Sequence, residues 1–128
     1  VGVSPSQYDF VINPGDAIVL RVSSPGSFII EASKIKSRNV TLVKNENNVV
    51  NFISWLSLSS IKASELASLI GSPMQKGSVI SKWNTSKGSY DDYIVGVSPS
   101  QYDFVINPGD AIVLRVSSSG NFVMPEVI

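Results

Sequence analysis

The sequence contains no cysteine and no histidine, and the two absences exclude several classes of chemistry. A chain without cysteine has no disulfide framework, no thiol nucleophile and no thiolate ligand for a metal. A chain without histidine has no imidazole base, no Ser-His-Asp triad and no histidine-bound zinc. The composition therefore argues against catalysis by these routes and predicts a protein that is not an enzyme.

Charge of either sign is also scarce. Charged residues make up 16% of the chain, against about 25% in an average domain. The 10 Lys and Arg residues balance the 10 Asp and Glu residues, and zero net charge is not typical of proteins that bind nucleic acid by charge. No run of about 18 apolar residues occurs, so we expect no membrane insertion by this segment. Low charge and abundant serine favour an extracellular location.

The most informative feature that is present is a duplication. Residues 1–24 read VGVSPSQYDFVINPGDAIVLRVSS, and residues 95–118 repeat them letter for letter at an offset of 94. The similarity continues beyond the identical part, with Phe28 aligned to Phe122. A period of this length is too long for a solenoid unit and suits a whole small domain.

The duplication predicts an array of near-identical modules, of which this chain is a window. We interpret residues 1–30 as the C-terminal hairpin segment of a preceding repeat. Residues 31–48 are then a linker or a surface strand, and residues 49–128 form a β module with one helix. An engineered duplication is the alternative origin of the repeat.

Each copy contains a turn motif between two apolar stretches. The turn residues are Asn13, Pro14, Gly15 and Asp16 in the first copy and Asn107, Pro108, Gly109 and Asp110 in the second. The proline presets φ at the second position, and the glycine supplies positive φ at the third. Alternation places Ile112, Leu114 and Val116 on one face. The motif therefore predicts a β-hairpin with one buried side in both copies.

The remaining patterns of the module are strand-like, with one exception. Strands are predicted at 49–56, 77–83, 89–95 and, as an edge strand, 122–124. Residues 62–70 place apolar side chains at helical spacing, which predicts one short helix. Ser59 or Ser60 is the expected N-cap, and Gly71 is the expected end. The predicted fold class is mainly β (β-rich α+β), as a small antiparallel sheet, sandwich or barrel with one short helix near 62–70.

Several stretches between residues 50 and 124 follow a shared pattern. They are NFISWL from Asn51, KASELASLIG from Lys62, VISKWN from Val79, YIVG from Tyr93, FVINPGDA from Phe104 and VLRV from Val113. Together they resemble a tandem-repeat module of archaeal and bacterial cell-surface proteins, of the S-layer-like or adhesin-like kind. The resemblance implies an extracellular, array-forming β module and implies no chemistry. Ile112 departs from the pattern, because an aromatic residue is common there.

A few polar and aromatic residues are candidates for binding or modification. Asn39 and Asn84 begin the two N-glycosylation sequons of the chain, and either could carry a glycan. Trp83, Tyr90 and Tyr93 could stack on sugar rings if they face solvent, whereas buried aromatics would simply fill a small core. Trp55, within an apolar strand, is expected in the core.

The acidic residues have simpler explanations than catalysis or metal binding. Asp110 ends a turn, Asp103 is expected to face solvent on a strand, and Glu65 fits the first turn of a helix. Asp91 and Asp92 are adjacent on a predicted strand and should point to opposite faces, which argues against a calcium site. We therefore predict no catalytic residue, no cofactor and no metal.

These patterns predict a non-catalytic structural or adhesive repeat module at the cell surface. One alternative is a carbohydrate-binding module that uses exposed aromatics, and another is an accessory domain of a glycosidase. The expected partners are neighbouring repeats of the same protein, with self-association through the duplicated hairpin, and a surface glycan. Two copies of the hairpin compete for one place, so the losing copy exposes apolar residues and should pair elsewhere or swap into another chain.

Overall fold

The computed structural model describes residues 6–13, 15–31, 35–44 and 50–127. Within these ranges the chain forms eight β-strands and one α-helix. In chain order they are β1 (Ile35–Leu42), β2 (Asn51–Ser54), β3 (Ile61–Lys62), α1 (Ala63–Ile70), β4 (Val79–Asn84), β5 (Ser89–Ile94), β6 (Val105–Ile106), β7 (Ala111–Arg115) and β8 (Gly120–Val127). Short 3-10 turns lie at Ser6–Tyr8 and Ser100–Tyr102. The predicted mainly β class with one short helix is confirmed.

The strands of the described ranges form three antiparallel sheets that do not close into a barrel. The central sheet has the order β2-β7-β4-β5, and two smaller sheets pair β1 with β8 and β3 with β6. Each sheet therefore contains one strand from the part of the chain after residue 95. That C-terminal part joins elements that would otherwise lack a common partner.

Helix α1 packs an apolar stripe against the core. Its buried residues, at helical spacing, are Ala63, Leu66, Ala67 and Ile70. Gly71 ends the helix as predicted, because its φ of +78° is readily adopted only by glycine. Glu65 lies in the first turn, where its carboxylate accepts a hydrogen bond of 2.9 Å from the backbone N–H of Lys62.

The start of α1 is capped differently from the prediction, which named Ser59 or Ser60. The carboxylate of Asp103 accepts hydrogen bonds from the backbone N–H of Ser64, at 2.8 Å, and from its hydroxyl, at 2.6 Å. Asp103 is therefore not the solvent-facing strand residue that the pattern predicted. The cap is supplied by a residue distant in sequence, because the chain after β5 passes over the start of the helix.

One apolar cluster of the described residues forms the core. Its fully buried large side chains are Trp55, Leu42, Leu66, Ile80, Ile106, Ile112, Leu114 and Met124. The prediction that Trp55 belongs to the core is confirmed, and its indole N–H donates a hydrogen bond of 2.7 Å to the carbonyl of Ser59. Four of these eight side chains come from residues after position 95, so the C-terminal part is integral to the core.

The turn motif of the second copy does not form the predicted hairpin. The turn itself is present, with Gly109 at φ +89° and a hydrogen bond of 3.0 Å from the N–H of Asp110 to the carbonyl of Asn107. The strands on either side diverge, since β6 pairs with β3 while β7 pairs with β2 and β4. The predicted buried face is confirmed at Ile112 and Leu114. The hairpin prediction is wrong because each strand pairs with the body of the module.

The region from 31 to 48, predicted as a linker or surface strand, contains the eight-residue strand β1. It pairs along its length with β8, from Leu42 opposite Gly120 to Ile35 opposite Val127. Strand β8 is therefore longer than the edge strand predicted at 122–124. Among the described residues, none of the helices has the length and apolarity that a membrane crossing requires.

Candidate functional site

The repeated sequence forms the main site of interest, because one copy builds the module and the other does not. We call residues 95–127 the closing segment and residues 35–94 the body. The closing segment supplies β6, β7 and β8, one strand to each sheet. We call the surface of the body that receives these strands the slot; it comprises edges of β1 to β4 and the start of α1.

The turn of the closing segment is held in the slot by backbone hydrogen bonds and by an ion pair. The N–H of Gly109 donates to the carbonyl of Trp55 at 2.7 Å, and the N–H of Trp55 donates to the carbonyl of Asp110 at 2.8 Å. Lys82 forms a half-buried ion pair with the Asp110 carboxylate at 2.7 Å and donates to the carbonyl of Val105 at 2.9 Å. Asp110 thus completes the turn and also holds it against β4.

The slot also requires a glycine at the start of β8. A Cβ atom on half-buried Gly120 would lie 2.6 Å from Cγ of buried Pro73, which is a clash. The N–H of Ser117 donates to the carbonyl of Pro73 at 2.7 Å and fixes this approach. Glycine is needed here because the two backbones come close together.

The first copy shares two local features with the second, the turn motif and the 3-10 turn before it. We call residues 1–33 the leading segment, which aligns with the closing segment at the offset of 94. In both copies the turn is closed by a hydrogen bond of 2.8 Å from a backbone N–H to a carboxylate, from Asn13 to Asp16 and from Asn107 to Asp110. The 3-10 turn also occurs in both copies. Pro14 lies outside the described residues.

The two copies differ in the burial of the apolar residues that face the core in the second copy. The exposed apolar side chains of the leading segment include Phe10, Ile12, Ile18, Leu20, Val22, Phe28 and Ile30. Leu20 is 59% exposed, whereas its counterpart Leu114 is 0% exposed. The hairpin predicted at 8–22 is not formed, since the described residues of that range contain no strand. In its described residues, 6–13 and 15–31, the leading segment is therefore a copy of a structural part without a strand partner.

The leading segment touches the body at its turn. The carbonyl of Gly15 accepts a hydrogen bond of 3.3 Å from the N–H of Ser54, and the carbonyl of Asp16 accepts one of 3.2 Å from the hydroxyl of Ser54. Gly15 also lies against the guanidinium of Arg38, which fills the space that a Cβ would occupy. This contact is at the outer edge of β2 and lies outside the slot.

The candidate sugar-stacking aromatics are divided between surface and core. Trp83 and Tyr90 lie opposite each other on β4 and β5 with ring centroids 5.1 Å apart and an interplanar angle of 79°. Both rings are about half exposed. Tyr93 is half-buried and packs against the core. The structure therefore brings Trp83 and Tyr90 together at the surface and places Tyr93 away from it.

A shallow groove of about 370 Å³ lies beside this aromatic pair, between β5 and the 3-10 turn of the closing segment. Its lining residues are Lys87, Tyr90, Asp91, Asp92, Gln101, Tyr102 and Phe104. Sequence patterns did not indicate Gln101 or Tyr102, because they reach β5 only through the fold of the closing segment. The groove combines aromatic rings with carboxylate, amide and ammonium groups.

The two adjacent acids of the groove have separate structural partners. The pKa of Asp91 is lowered from its ordinary value of 3.8, first by the hydrogen bond from Lys87 and then by that from Asn84. Asp92 accepts a hydrogen bond of 2.5 Å from the hydroxyl of Ser81. Within the part of the chain that the structure describes, no group of three or more acidic side chains is placed to hold a metal ion.

The two glycosylation candidates differ in their surroundings. Asn39 is exposed on β1. Asn84 is half-buried, and its side-chain oxygen accepts hydrogen bonds from the backbone N–H groups of Ser86 and Lys87, at 3.1 and 3.2 Å. Its amide also donates to Asp91 at 3.0 Å. Asn84 therefore holds the β4–β5 turn, and Asn39 is the more accessible acceptor.

Comparisons with known proteins give no relative. No protein-family model matches the chain, and neither the curated proteins nor the solved structures give a match. The resemblance to cell-surface repeat modules therefore stays a prediction from the sequence pattern.

Proposed function

We propose that this chain is a non-catalytic structural or adhesive repeat of an extracellular, cell-surface protein. The observation that carries the proposal is the fate of the duplicated sequence. One copy is built into the core of the module, and the other, identical over 24 residues, leaves its apolar side chains exposed. These apolar side chains would be buried if the leading segment closed a preceding module of the same kind, which explains why the sequence retains them.

The positions of the two end strands support tandem connection. Ile35 at the start of β1 pairs with Val127 at the end of β8, so the chain enters and leaves the module side by side. The offset of 94 makes Ser33 the counterpart of Val127. Lys34 alone then separates one module from the next. Consecutive modules without a linker are suited to a spacer or lattice, since their relative positions are restricted.

The contacts of the acidic residues support a structural function over a catalytic one. Asp91 is bound to Lys87, Asp103 caps helix α1, and Asp110 pairs with Lys82. A glycosidase needs two carboxylates that face a common substrate across a cleft. These carboxylates instead face partners within the fold.

Labelling of intact cells of the source organism tests the proposal. Antibodies against this chain should label unpermeabilised cells, and limited proteolysis of the parent protein should release fragments that differ by one 94-residue period. Labelling only after permeabilisation would contradict the surface location. A parent without further copies of the repeat would contradict the array.

The exposed aromatic pair and the groove favour carbohydrate binding as a second candidate function. Tyr90 and Tyr102 could pack against the apolar face of a sugar, and the amide of Gln101 could bind its hydroxyl groups. In an array the same groove would recur once per module, so weak sites could act together. This candidate would give the repeat an adhesive function.

Titration with soluble xylan, mannan and β-glucan tests this second candidate. Binding should change the fluorescence of half-exposed Trp83, while buried Trp55 provides an unchanged background. Tyr102→Ala should abolish the response. Tyr8→Ala is the matched control, because Tyr8 is the same residue of the other copy and does not line the groove. A response to none of the polysaccharides, or equal loss in both variants, would exclude the groove as their site.

A further inference from the structure

The leading segment has the residue types with which the closing segment binds the slot, although it does not occupy a slot itself. We propose that residues 1–33 bind in trans to the slot of a second copy of this chain whenever that slot is free of its own closing segment. The inference rests on the proposed repeat array and deepens it by naming the partner, a body with the sequence of residues 35–94. The leading segment would then connect modules of different molecules as well as neighbours in one chain.

The charged contacts of the closing segment can be repeated by the leading segment, whereas the hydrogen bond of 2.8 Å from the N–H of Lys44 to the hydroxyl of Ser119 is lost, because the counterpart of Ser119 is Pro25. Asp110 pairs with Lys82 of the body, and Asp16 is its counterpart. Asp103 caps the helix, and Asp9 is its counterpart. The turn that presents these groups already has the same closing hydrogen bond in both copies. The leading segment is therefore preorganised for the slot at its turn, which reduces the entropy lost on binding.

Glycine 26 is informative because its present surroundings do not require a glycine. No atom lies within 4 Å of the position that a Cβ on Gly26 would take. Its counterpart Gly120 is required, since a Cβ there would lie 2.6 Å from Pro73. The sequence beyond residue 24 is no longer identical between the copies, yet it keeps glycine at this position. A slot with the equivalent of Pro73 accounts for this.

The sequence differences between the two copies preserve the apolar character of the buried face of β8. The inward side chains of β8 are Phe122 and Met124, both buried. Their counterparts are Phe28 and Ile30, so the apolar face is retained with one exchange of similar volume. The replacement of Pro125 by its counterpart Glu31 falls on an exposed position. The leading segment is thus compatible with the slot at its buried positions as well.

The number of slots decides which partner can be bound. Each complete chain has one slot and two segments that fit it. An exchange of segments between two complete chains leaves as many segments unbound as before, so it gains no net contact. Binding is favoured only by a body whose own closing segment is absent from the slot. Such a body would be stabilised by the donated segment, as any ligand stabilises the state that binds it.

Full-length variants test the proposal in trans. The acceptor is the double variant Leu20→Asp/Leu114→Asp, in which both segments carry a charge at the buried position and the slot is left empty. Wild-type chain is the donor, since its leading segment is free. We expect light scattering to show a complex with the mass of one acceptor and one donor, and hydrogen exchange to show protection of β2 and β4 in the acceptor. The control donor Leu20→Asp keeps its own module intact and should form no complex.

Absence of the complex, or equal binding of the control donor, would overturn the proposal. A second measurement covers an acceptor that cannot fold even with a donor. The single variant Leu114→Asp keeps its leading segment, so it should unfold at a higher denaturant concentration than the double variant and should grow in mass with concentration. Equal midpoints would overturn the proposal, and so would a folded variant that stays monomeric at all concentrations. These tests use the purified chain alone. A negative result would therefore overturn binding in trans without contradicting the proposed array, which is tested on cells and on the parent protein.

Discussion

The duplicated sequence provides a matched pair of substitutions within one molecule, Leu114→Ala and Leu20→Ala. The two leucines have the same sequence neighbours over the 24 identical residues. Effects on local propensity and on the unfolded chain are therefore similar and largely cancel in the comparison. What remains is the difference between 0% exposure for Leu114 and 59% exposure for Leu20.

The expected magnitudes follow from this difference in burial. Truncation of leucine to alanine removes three side-chain carbons, at about 0.8 kcal/mol for each buried one. Leu114→Ala should therefore lower the free energy of unfolding by about 2.4 kcal/mol from transfer alone, and the cavity raises the loss to about 3 kcal/mol. Leu20 is only about two-fifths buried, so its truncation should cost less than about 1 kcal/mol.

Urea unfolding of both single variants and of the double variant, followed by far-ultraviolet circular dichroism, measures these losses. A large loss for Leu114→Ala, a small loss for Leu20→Ala and additive behaviour in the double variant would agree with closure by the second copy alone. If the leading segment replaces a weakened closing segment, the double variant should lose more than the sum of the two singles. Equal single losses with an additive double variant would refute the assignment of burial to one copy.

Three further predictions use the same chain. Gly120→Ala should be destabilising because of the approach of a buried proline, whereas Gly26→Ala should be neutral or slightly stabilising in thermal unfolding. Asp103→Ala should cost about 1 kcal/mol in urea unfolding through loss of the helix cap, and Asp9→Ala should cost almost nothing. The lowered pKa of Asp91 means that its ion pair stabilises the fold above pH 3.8 and is lost as pH falls through the folded-state value. Replacement of Asp91 by asparagine should therefore flatten the acid limb of stability against pH, and an unchanged limb would contradict this.

Local patterns were sufficient for the parts of the fold that depend on neighbouring residues. Helical spacing predicted 62–70, and α1 occupies Ala63–Ile70. Alternation predicted the buried face of Ile112 and Leu114. The turn before them was predicted from its proline and glycine. Each of these features is determined by contacts within a few positions along the chain, so the sequence alone was informative.

The same reasoning failed where pairing is distant in sequence. For residues 31–48 the polar composition left a linker and a surface strand as alternatives, and it did not identify β8, which lies about 80 to 90 positions away along the chain, as the partner of β1. The hairpin prediction was wrong because the strand partners are distant in sequence: β7 pairs with β2 and β4 and does not pair with its neighbour β6. The groove was missed because its two walls, at β5 and Tyr102, come together only through these distant pairings.

The two copies of one sequence separate the local from the distant contributions to structure. The turn forms in both copies because its hydrogen bonds lie within the motif, from the N–H of Asn13 or Asn107 to the following carboxylate. Strand β7 forms in one copy, because the backbone hydrogen bonds of a strand are made with a partner strand. Residues 15–24 have the letters of β7 but no strand pairing. The stability of β7 therefore comes from the body, and the leading copy should become a strand only where another body supplies a slot.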